Sequence, residues 1–461
     1  MLPELQGNRD KGVKTLQIYM PPEEPQSDDK QKDLFRVELE RIIDGNHPLV
    51  KLSKQINWRE FDEAFSASFC EDNGRPGCST RLMVGLHYLK HTFDLSDEES
   101  LERWVDSPHW QYFCGMKYFE HQLPIHYSSM SRWRKRIAEA GAEKMLAESI
   151  QTGLKSGVIK PKMLEKVNVD TTVEEKNIRF PTDARLYDRM REHLVKEALK
   201  QGLILRQSYR RVGRKTLLKQ SRYAHAQQFK RAQRMTRRLK TLLGRVVRDI
   251  QRKAGDKVPT LLKEKLGLAQ RLLKQQRQDS KKIYSIHEPH VECICKGKIH
   301  KRYEFGCKVS IISTSKGNWI LTSQAIHGNP YDGKTLASSL KQAQRVSGQL
   351  PKQAFCDLGY RGHEKVRCTT IKVVPQKRKH LSRSLRHWMN RRAAIEPIIG
   401  HLKADHRFER NRLKGKLGDQ LNALLSACGF NFRKLMRAFF LPICFILSLC
   451  ILWLNPHRSY A

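Results

Sequence analysis

The sequence predicts an α/β protein: a mixed sheet flanked by helices, with an N-terminal helical domain and a basic helical insertion. Three observations lead there. Short segments with alternating apolar residues recur in the order strand, strand pair, helix, strand, helix, which suits a mixed sheet with helical cover. The region before them has helical spacing. A long Leu-rich, cationic stretch separates the first strand from the strand pair.

Residues 1–33 are polar, with Pro21, Pro22 and Pro25, and read as a flexible leader. Residues 34–155 read as a helical domain for DNA binding or assembly. Within it, Ser96-Asp97-Glu98-Glu99 fits a capping box, with Leu101, Trp104 and Val105 following on one helical face. Arg132, Arg134 and Arg136 lie near the start of another helix. That spacing suits the reading helix of a helix-turn-helix, and equally a bundle helix with a charged outer face.

The sheet domain is expected over 160–183 and 283–437. In Val167-Asn168-Val169-Asp170 the period changes to two, which predicts a strand with Asp170 near its end. Segments 304–312 and 319–326 flank Gly317-Asn318 and predict a hairpin. Asp332 opens a helix, as its N-cap. Ala354-Phe355-Cys356-Asp357 is a short strand, and one long helical region covers about 384–439. Residues 184–282 form the insertion. Between Glu197 and Asp249 lie 51 residues with 16 Lys or Arg and no acid. Such a run cannot make Glu–Lys surface pairs, so a phosphate-binding arm is expected, with Arg234, Arg237, Arg238 and Lys240 in contact. Residues 438–461 form an apolar tail. Its 16 uncharged residues, Phe439 to Leu454, fall short of a membrane span, and packing on the sheet domain is expected instead.

The chain has 461 residues, enough for several modules. It carries 87 Lys and Arg against 47 Asp and Glu, a net charge of +40. That excess draws the protein to polyanions, with nucleic acid the first candidate partner and membrane not expected. The 11 irregularly spaced cysteines and the lack of a signal-like start predict free thiols and a cytoplasmic location. His290, Cys293, Cys295, His300 and Cys307 invite a zinc reading. Their spacing does not match the usual structural zinc pattern, so plain strand cysteines are expected.

Three acids stand out. Asp170 and Asp357 follow apolar strands, where packing needs no carboxylate. Glu396 precedes Pro397, which must kink its helix or lie in the first turn. Glu396, Gly400 and Lys403 share a helical face. Hard divalent cations need only a few carboxylates, and a pair of them can assist displacement at phosphorus. Each Asp taken singly reads equally as a turn or cap residue, and spacing alone does not assemble a triad. Asp183 and Asp405 remain cap and runner-up candidates.

Five segments in order carry a resemblance: Val169-Asp170-Thr171-Thr172; Phe180-Pro181-Thr182-Asp183; Gly328-Asn329-Pro330-Tyr331-Asp332-Gly333; Asp357 followed by Gly359-Tyr360-Arg361-Gly362; and Ile395-Glu396-Pro397-Ile398-Ile399-Gly400-His401-Leu402-Lys403. Over about 56–435 the chain resembles bacterial transposases of the insertion sequence five family. The resemblance implies an RNase-H-like fold, and two Mg²⁺ or Mn²⁺ ions held by Asp170, Asp357 and Glu396. It implies double-stranded DNA partners, namely inverted-repeat ends and a target, and a homodimer or larger assembly on DNA. It also implies hydrolysis at the transposon ends followed by joining of the 3′ ends to target. Related transposases carry a Tyr, Arg, Glu, Lys signature. Arg392, Glu396 and Lys403 fill its last three slots, with Arg392 and Lys403 expected on phosphate, while Met389 occupies the Tyr slot. The alternatives are a nuclease of the same fold that does not join DNA, and a DNA-binding protein that has lost catalysis.

Overall fold

The computed structural model describes residues 37–66, 77–254, 259–295, 302–363, 366, 368–373 and 382–454, with side chains to residue 440. The leader expected over 1–33 lies outside the described residues. The first helices are α1 (Leu39–Ile42), α2 (Pro48–Gln55), α3 (Trp58–Ser66), α4 (Thr80–Thr92), α5 (Asp97–Asp106), α6 (Pro108–Phe113) and α7 (Tyr127–Lys155). The capping box at the start of α5 forms as expected: the Ser96 hydroxyl accepts from Glu99 N, and the Glu99 carboxylate accepts from Ser96 N.

Arg134 departs from its expected role on DNA. It is buried, and its fork donates to Asp97 Oδ1 at 2.8 Å and Oδ2 at 2.6 Å. Lys90 Nζ donates to the same carboxylate at 2.5 Å. Arg134 thus closes a buried ion cluster between α4, α5 and α7. Among its neighbours, Arg132 is exposed and Arg136 half-buried.

The strands follow from β1 (Lys166–Lys176). Helices α8 (Asp183–Lys200), α9 (Arg210–His225), α10 (Phe229–Ala254) and α11 (Thr260–Lys274) come between it and β2 (Glu292–Cys295). Next are β3 (Tyr303–Thr314), β4 (Ile320–Ile326), α12 (Asp332–Ser347), β5 (Gln353–Cys356) and β6 (Thr370–Val373). The chain continues through α13 (Arg383–Arg392), α14 (Ile395–Asp405), β7 (Arg410–Asn411) and α15 (Gly415–Leu454). The single helical region expected over 384–439 is therefore broken twice. Pro397 occupies the first turn of α14, where its missing N–H costs nothing.

The sheet is mixed. Antiparallel β4, β3 and β1 are followed by parallel β5 and β6; β2 extends the outer edge of β3, and β7 pairs with the far end of β1. The β3–β4 hairpin is closed by the five residues 315–319, and within it Gly317 and Asn318 both take positive φ, a region that glycine and asparagine enter at least cost. At Gly306 a Cβ would lie 1.8 Å from the Glu174 carbonyl oxygen, so only glycine lets β3 approach β1 there.

β1 is longer than its apolar alternation predicts, and Asp170 sits mid-strand rather than near the end. The strand continues because β3 pairs with it through Glu175, a partner remote in sequence. On its other edge, β5 pairs only with Lys166–Asn168 and β7 only with Glu175–Lys176. Residues 169–174 have no strand on that side among those described.

The N-terminal helices and the sheet share one core. It joins Leu86, Tyr88 and Trp104 to Val167, Val169, Ile311 and Ile320, and to Leu424, Ala427 and Phe432 of α15. Helices α8–α11 bury a second cluster that includes Leu194, Leu239, Leu242, Leu243, Val246, Leu262 and Leu266. The Leu-rich stripe of α10 faces inward as expected, leaving Arg234, Arg237 and Arg238 exposed and Lys240 half-buried. The backbone of α15 stays helical to Leu454, while the side chains of the apolar tail beyond 440 lie outside the described residues. No helix among the described residues is long and apolar enough to cross a membrane.

Three buried histidines make this core sensitive to acid. His87 and His91 lie on α4, and His406 Nδ1 sits 2.8 Å from the His91 carbonyl. Burial pushes His87 down to about 3 and His406 to about 4, and drives His91 well below its usual range. Unfolded, each takes up a proton near pH ~6.5. The unfolded chain therefore binds more protons below that pH. Stability is full above it and falls on acidification, by up to about 1.4 kcal/mol per pH unit for each histidine. The urea midpoint is expected to be clearly lower at about pH 5.5 than at about pH 7.5. Equal midpoints would contradict this account of the three imidazoles.

Candidate active site

The parallel register of β1 and β5 sets Asn168 opposite Phe355. Asp170 and Asp357 each lie two residues beyond that pair, Asp170 still within β1 and Asp357 just past the end of β5. Asp357 directly follows β5 and caps a short 3₁₀ turn, Leu358–Tyr360, its Oδ1 accepting from Gly359 N at 2.9 Å. Asp170 Oδ1 accepts from Thr171 N at 2.7 Å. The carboxylates thus stand where β5 leaves the sheet and the edge of β1 is open.

Helices α13 and α14 fill that opening. Met389, in the slot where related proteins have Tyr, is buried against Phe355, and Trp388 stacks on the same ring. Met389 therefore anchors α13 to β5. The fully buried Asn168 donates from Nδ2 to the Arg391 carbonyl at 3.1 Å, and Arg391 Nε donates to the Ser315 carbonyl at 2.7 Å. These contacts fix the end of α13 and with it Arg392. The Arg392 guanidinium reaches Asp170 Oδ2 at 3.5 Å and Glu396 Oε1 at 3.4 Å. It links the mid-strand acid to the helix acid. The Glu396 side chain is 65% exposed, free to turn toward an incoming ligand. Lys403 is half-buried one helical stretch further on.

A further acid comes close that sequence reading placed elsewhere. Asp332 is not the N-cap of α12, a position held by Tyr331. Its Oδ1 accepts from Lys308 Nζ at 2.8 Å and from Thr171 Oγ1 at 3.2 Å. A Cβ built on Gly359 would lie 3.1 Å from Asp357 Oδ1 and 3.3 Å from Asp332 Oδ2, so both carboxylates crowd that glycine. Tyr331 Oη donates to the Arg361 carbonyl at 2.6 Å, locking the Gly328–Gly333 and Asp357–Gly362 segments together. The Tyr360 hydroxyl is fully buried without a hydrogen-bond partner. Burial raises it well above its ordinary range, with the charges of Cys356, Asp170, Asp332 and Asp357 adding to the effect. The repeated segment order could have drawn attention to Asp332 and Tyr360; Lys308 had no local signal.

Other candidates lie apart. Asp405 pairs with His401 at 3.0 Å and Arg433 at 3.3 Å, a tie between α14 and α15. Asp183 follows Thr182, the true N-cap of α8. Cys293 and Cys295 lie on β2, Cys307 lies on β3, and His300 falls outside the described residues. The described cysteines 78, 114, 293, 295, 307, 356, 368 and 428 are free thiols.

Comparison with known proteins adds an independent observation. Residues 37–136 match a transposase domain (DUF772), and residues 371–436 match a transposase DDE domain. The second match contains Arg392, Glu396 and Lys403. The chain is also similar to an uncharacterized protein, ORF8 in the nfe locus of Rhizobium meliloti. The two are 50% identical over 210 residues, 46% of this chain and 100% of that protein. Two separate segments of the chain are thus similar to transposase domains. No solved structure matches it. A transposase with a DDE domain is an enzyme that acts on DNA and uses divalent metal. The donor set at this site fits a hard cation: carboxylates stand together at a strand break, and a guanidinium holds two of them in its reach.

Proposed function

We propose that this transposase binds the inverted-repeat ends of a mobile element, cleaves them, and joins the 3′ ends to target DNA. Asp170, Asp357 and Glu396 would hold Mg²⁺ or Mn²⁺, two ions in all. The observation that supports this reading is the register of β1 and β5, which ends two residues short of both Asp170 and Asp357, together with Arg392, which ties Asp170 to Glu396. An RNase-H-like catalytic fold is supported by the path β4-β3-β1-β5-β6, antiparallel up to β1 and parallel beyond it. Membership of the insertion sequence five family is supported by the five ordered segments.

When bound, the ions supply charge stabilisation for in-line displacement at phosphorus. The chain's own residues do the positioning. Arg392 neutralises Asp170 and Glu396 before loading; once released, its planar fork suits a phosphate beside the cut. Lys403 offers a point charge further along the same helix. The Tyr360 hydroxyl has a hydrogen bond to give amid the carboxylates, and Lys308 holds Asp332 in place.

The test is a strand-transfer assay with an oligonucleotide of the flanking inverted repeat, a target plasmid and Mg²⁺. Joined products are expected. Cleavage without joining would make the protein a nuclease, and end binding without cleavage would make it a DNA-binding protein that has lost catalysis.

Helices α8–α11 serve in this reading as the phosphate-binding arm, and Arg132 and Arg136 add cations from α7. Neutralising Arg234, Arg237, Arg238 and Lys240 together should flatten the plot of log affinity against log salt by roughly 0.9 per lost contact. An unchanged slope would place these four side chains in solvent in the complex.

A further inference from the structure

A second polar cluster lies on the same face of β1 as Asp170, four residues or about 13 Å further along the strand. Glu174 pairs across the sheet with Cys307, and Cys307 Sγ lies 3.8 Å from Glu174 Oε2. Asp419, from the first turns of α15, completes a buried trio whose ligand atoms all lie within 4.8 Å of one another. Two imidazoles abut Asp419. His290 Nε2 is 3.2 Å and His327 Nε2 is 3.7 Å from Asp419 Oδ2.

We propose that these residues form a metal site distinct from the catalytic acids, taking a borderline transition ion of the zinc class. Glu174, Cys307 and Asp419 are its core ligands, with an imidazole from His290 or His327.

The first argument is geometric. Zinc binds nitrogen and oxygen at about 2.0–2.2 Å and sulfur at about 2.3 Å, so tetrahedral ligands stand roughly 3.3–3.6 Å apart. The observed separations of 3.2, 3.7 and 3.8 Å lie near that range. The second argument is unmet bonding. Both ring nitrogens of His327 and Nε2 of His290 are buried without a hydrogen-bond partner, which is costly for a polar atom with no ligand to meet.

The third argument is charge. Glu174, Glu288 and Asp419 are all buried. The ammonium that reaches them is Lys176, 2.5 Å from Asp419 Oδ1 and 3.5 Å from Glu288 Oε2. It engages Asp419 through Oδ1, whereas the imidazoles approach Oδ2. Asn422 and Asn411 donate to Glu174 at 2.6 and 3.4 Å and hold its carboxylate in place, as outer partners do in metal centres. A divalent ion would balance the remaining charge. On loading, Cys307 loses its S–H proton to solvent and binds as thiolate. Sulfur and imidazole donors select against Mg²⁺, so this ion differs in class from the catalytic ones. It would pin the start of α15 to β1, β3 and the end of β4.

The probe is Co²⁺ added to chelator-treated full-length protein carrying Asp170→Asn, Asp357→Asn and Glu396→Gln, which silences the catalytic acids. A near-ultraviolet thiolate-to-cobalt band is expected, saturating at about one equivalent and displaced by Zn²⁺. Cys307→Ser should remove the band and Cys293→Ser should keep it. If Cys307→Ser does not fold, the double variant His290→Gln/His327→Gln replaces it. That variant should keep the sulfur band while binding Co²⁺ at least ~10-fold more weakly. No band in the silenced chain overturns the proposal. So does a full band in Cys307→Ser, or unchanged affinity in the double histidine variant.

Discussion

Asp357→Asn is expected to abolish cleavage of an inverted-repeat end in Mg²⁺ while leaving most end binding intact. The substitution keeps size and the contact from Gly359 N to the side-chain oxygen, but removes the charge that would hold metal. A fall of at least ~10³-fold corresponds to about 4 kcal/mol of lost transition-state stabilisation. Single-turnover cleavage beside a mobility-shift titration separates the two effects. Full cleavage by the variant would remove Asp357 from the site. Loss of binding in step with cleavage would make it a structural cap of the Leu358–Tyr360 turn.

Arg134→Ala is expected to destabilise the fold by about 3 kcal/mol, because it leaves the half-buried Asp97 with Lys90 for a partner and opens the space of a buried guanidinium. In the intact protein the hydrogen bonds from Arg134, followed by the charge of Lys90, hold the Asp97 carboxyl well below its usual range against the opposing effect of burial. Arg134→Lys should recover only part of the loss, since an ammonium cannot replace the paired bonds of a fork. Urea unfolding measures both. An Arg134→Ala protein of normal stability that had lost DNA binding would return this residue to the DNA surface.

Much of the local structure around the candidate acids is legible in the sequence because local rules coincide there. Val167 and Val169 announce a strand before Asp170, and Ala354-Phe355-Cys356 announces another before Asp357. Pro397 fixes Glu396 in a first helical turn. What escaped depends on partners remote in sequence. β1 runs on to Lys176 because β3 pairs with it, and nothing in its own alternation says so. Arg134 looks like its neighbours Arg132 and Arg136 until α5 brings Asp97 onto it. Asp332 has the local setting of a cap; only the fold delivers Lys308 and Thr171 to its carboxylate. His290 and Cys307 were noticed as possible ligands, but the sequence grouped them with Cys293 and Cys295. The fold groups them instead with Glu174 and Asp419, which carried no signal.

The placement of helices α8–α11 also bears on how the molecule assembles. The sheet requires β1 to find β3 across residues 177–302, so this long-range pairing must close a large loop. Closure entropy rises with loop length by about 0.6 kcal/mol for each doubling. Those helices have a hydrophobic cluster of their own and rely on contacts close in sequence, which form quickly. When they fold first, the span between β1 and β3 contracts to short tethers, and the pairing that carries Asp170 becomes nearly local. The same segment proposed to supply cations for phosphate would then act earlier as a folding clamp. Shortening or unravelling it would slow formation of the acid site even in a variant whose acids were all intact.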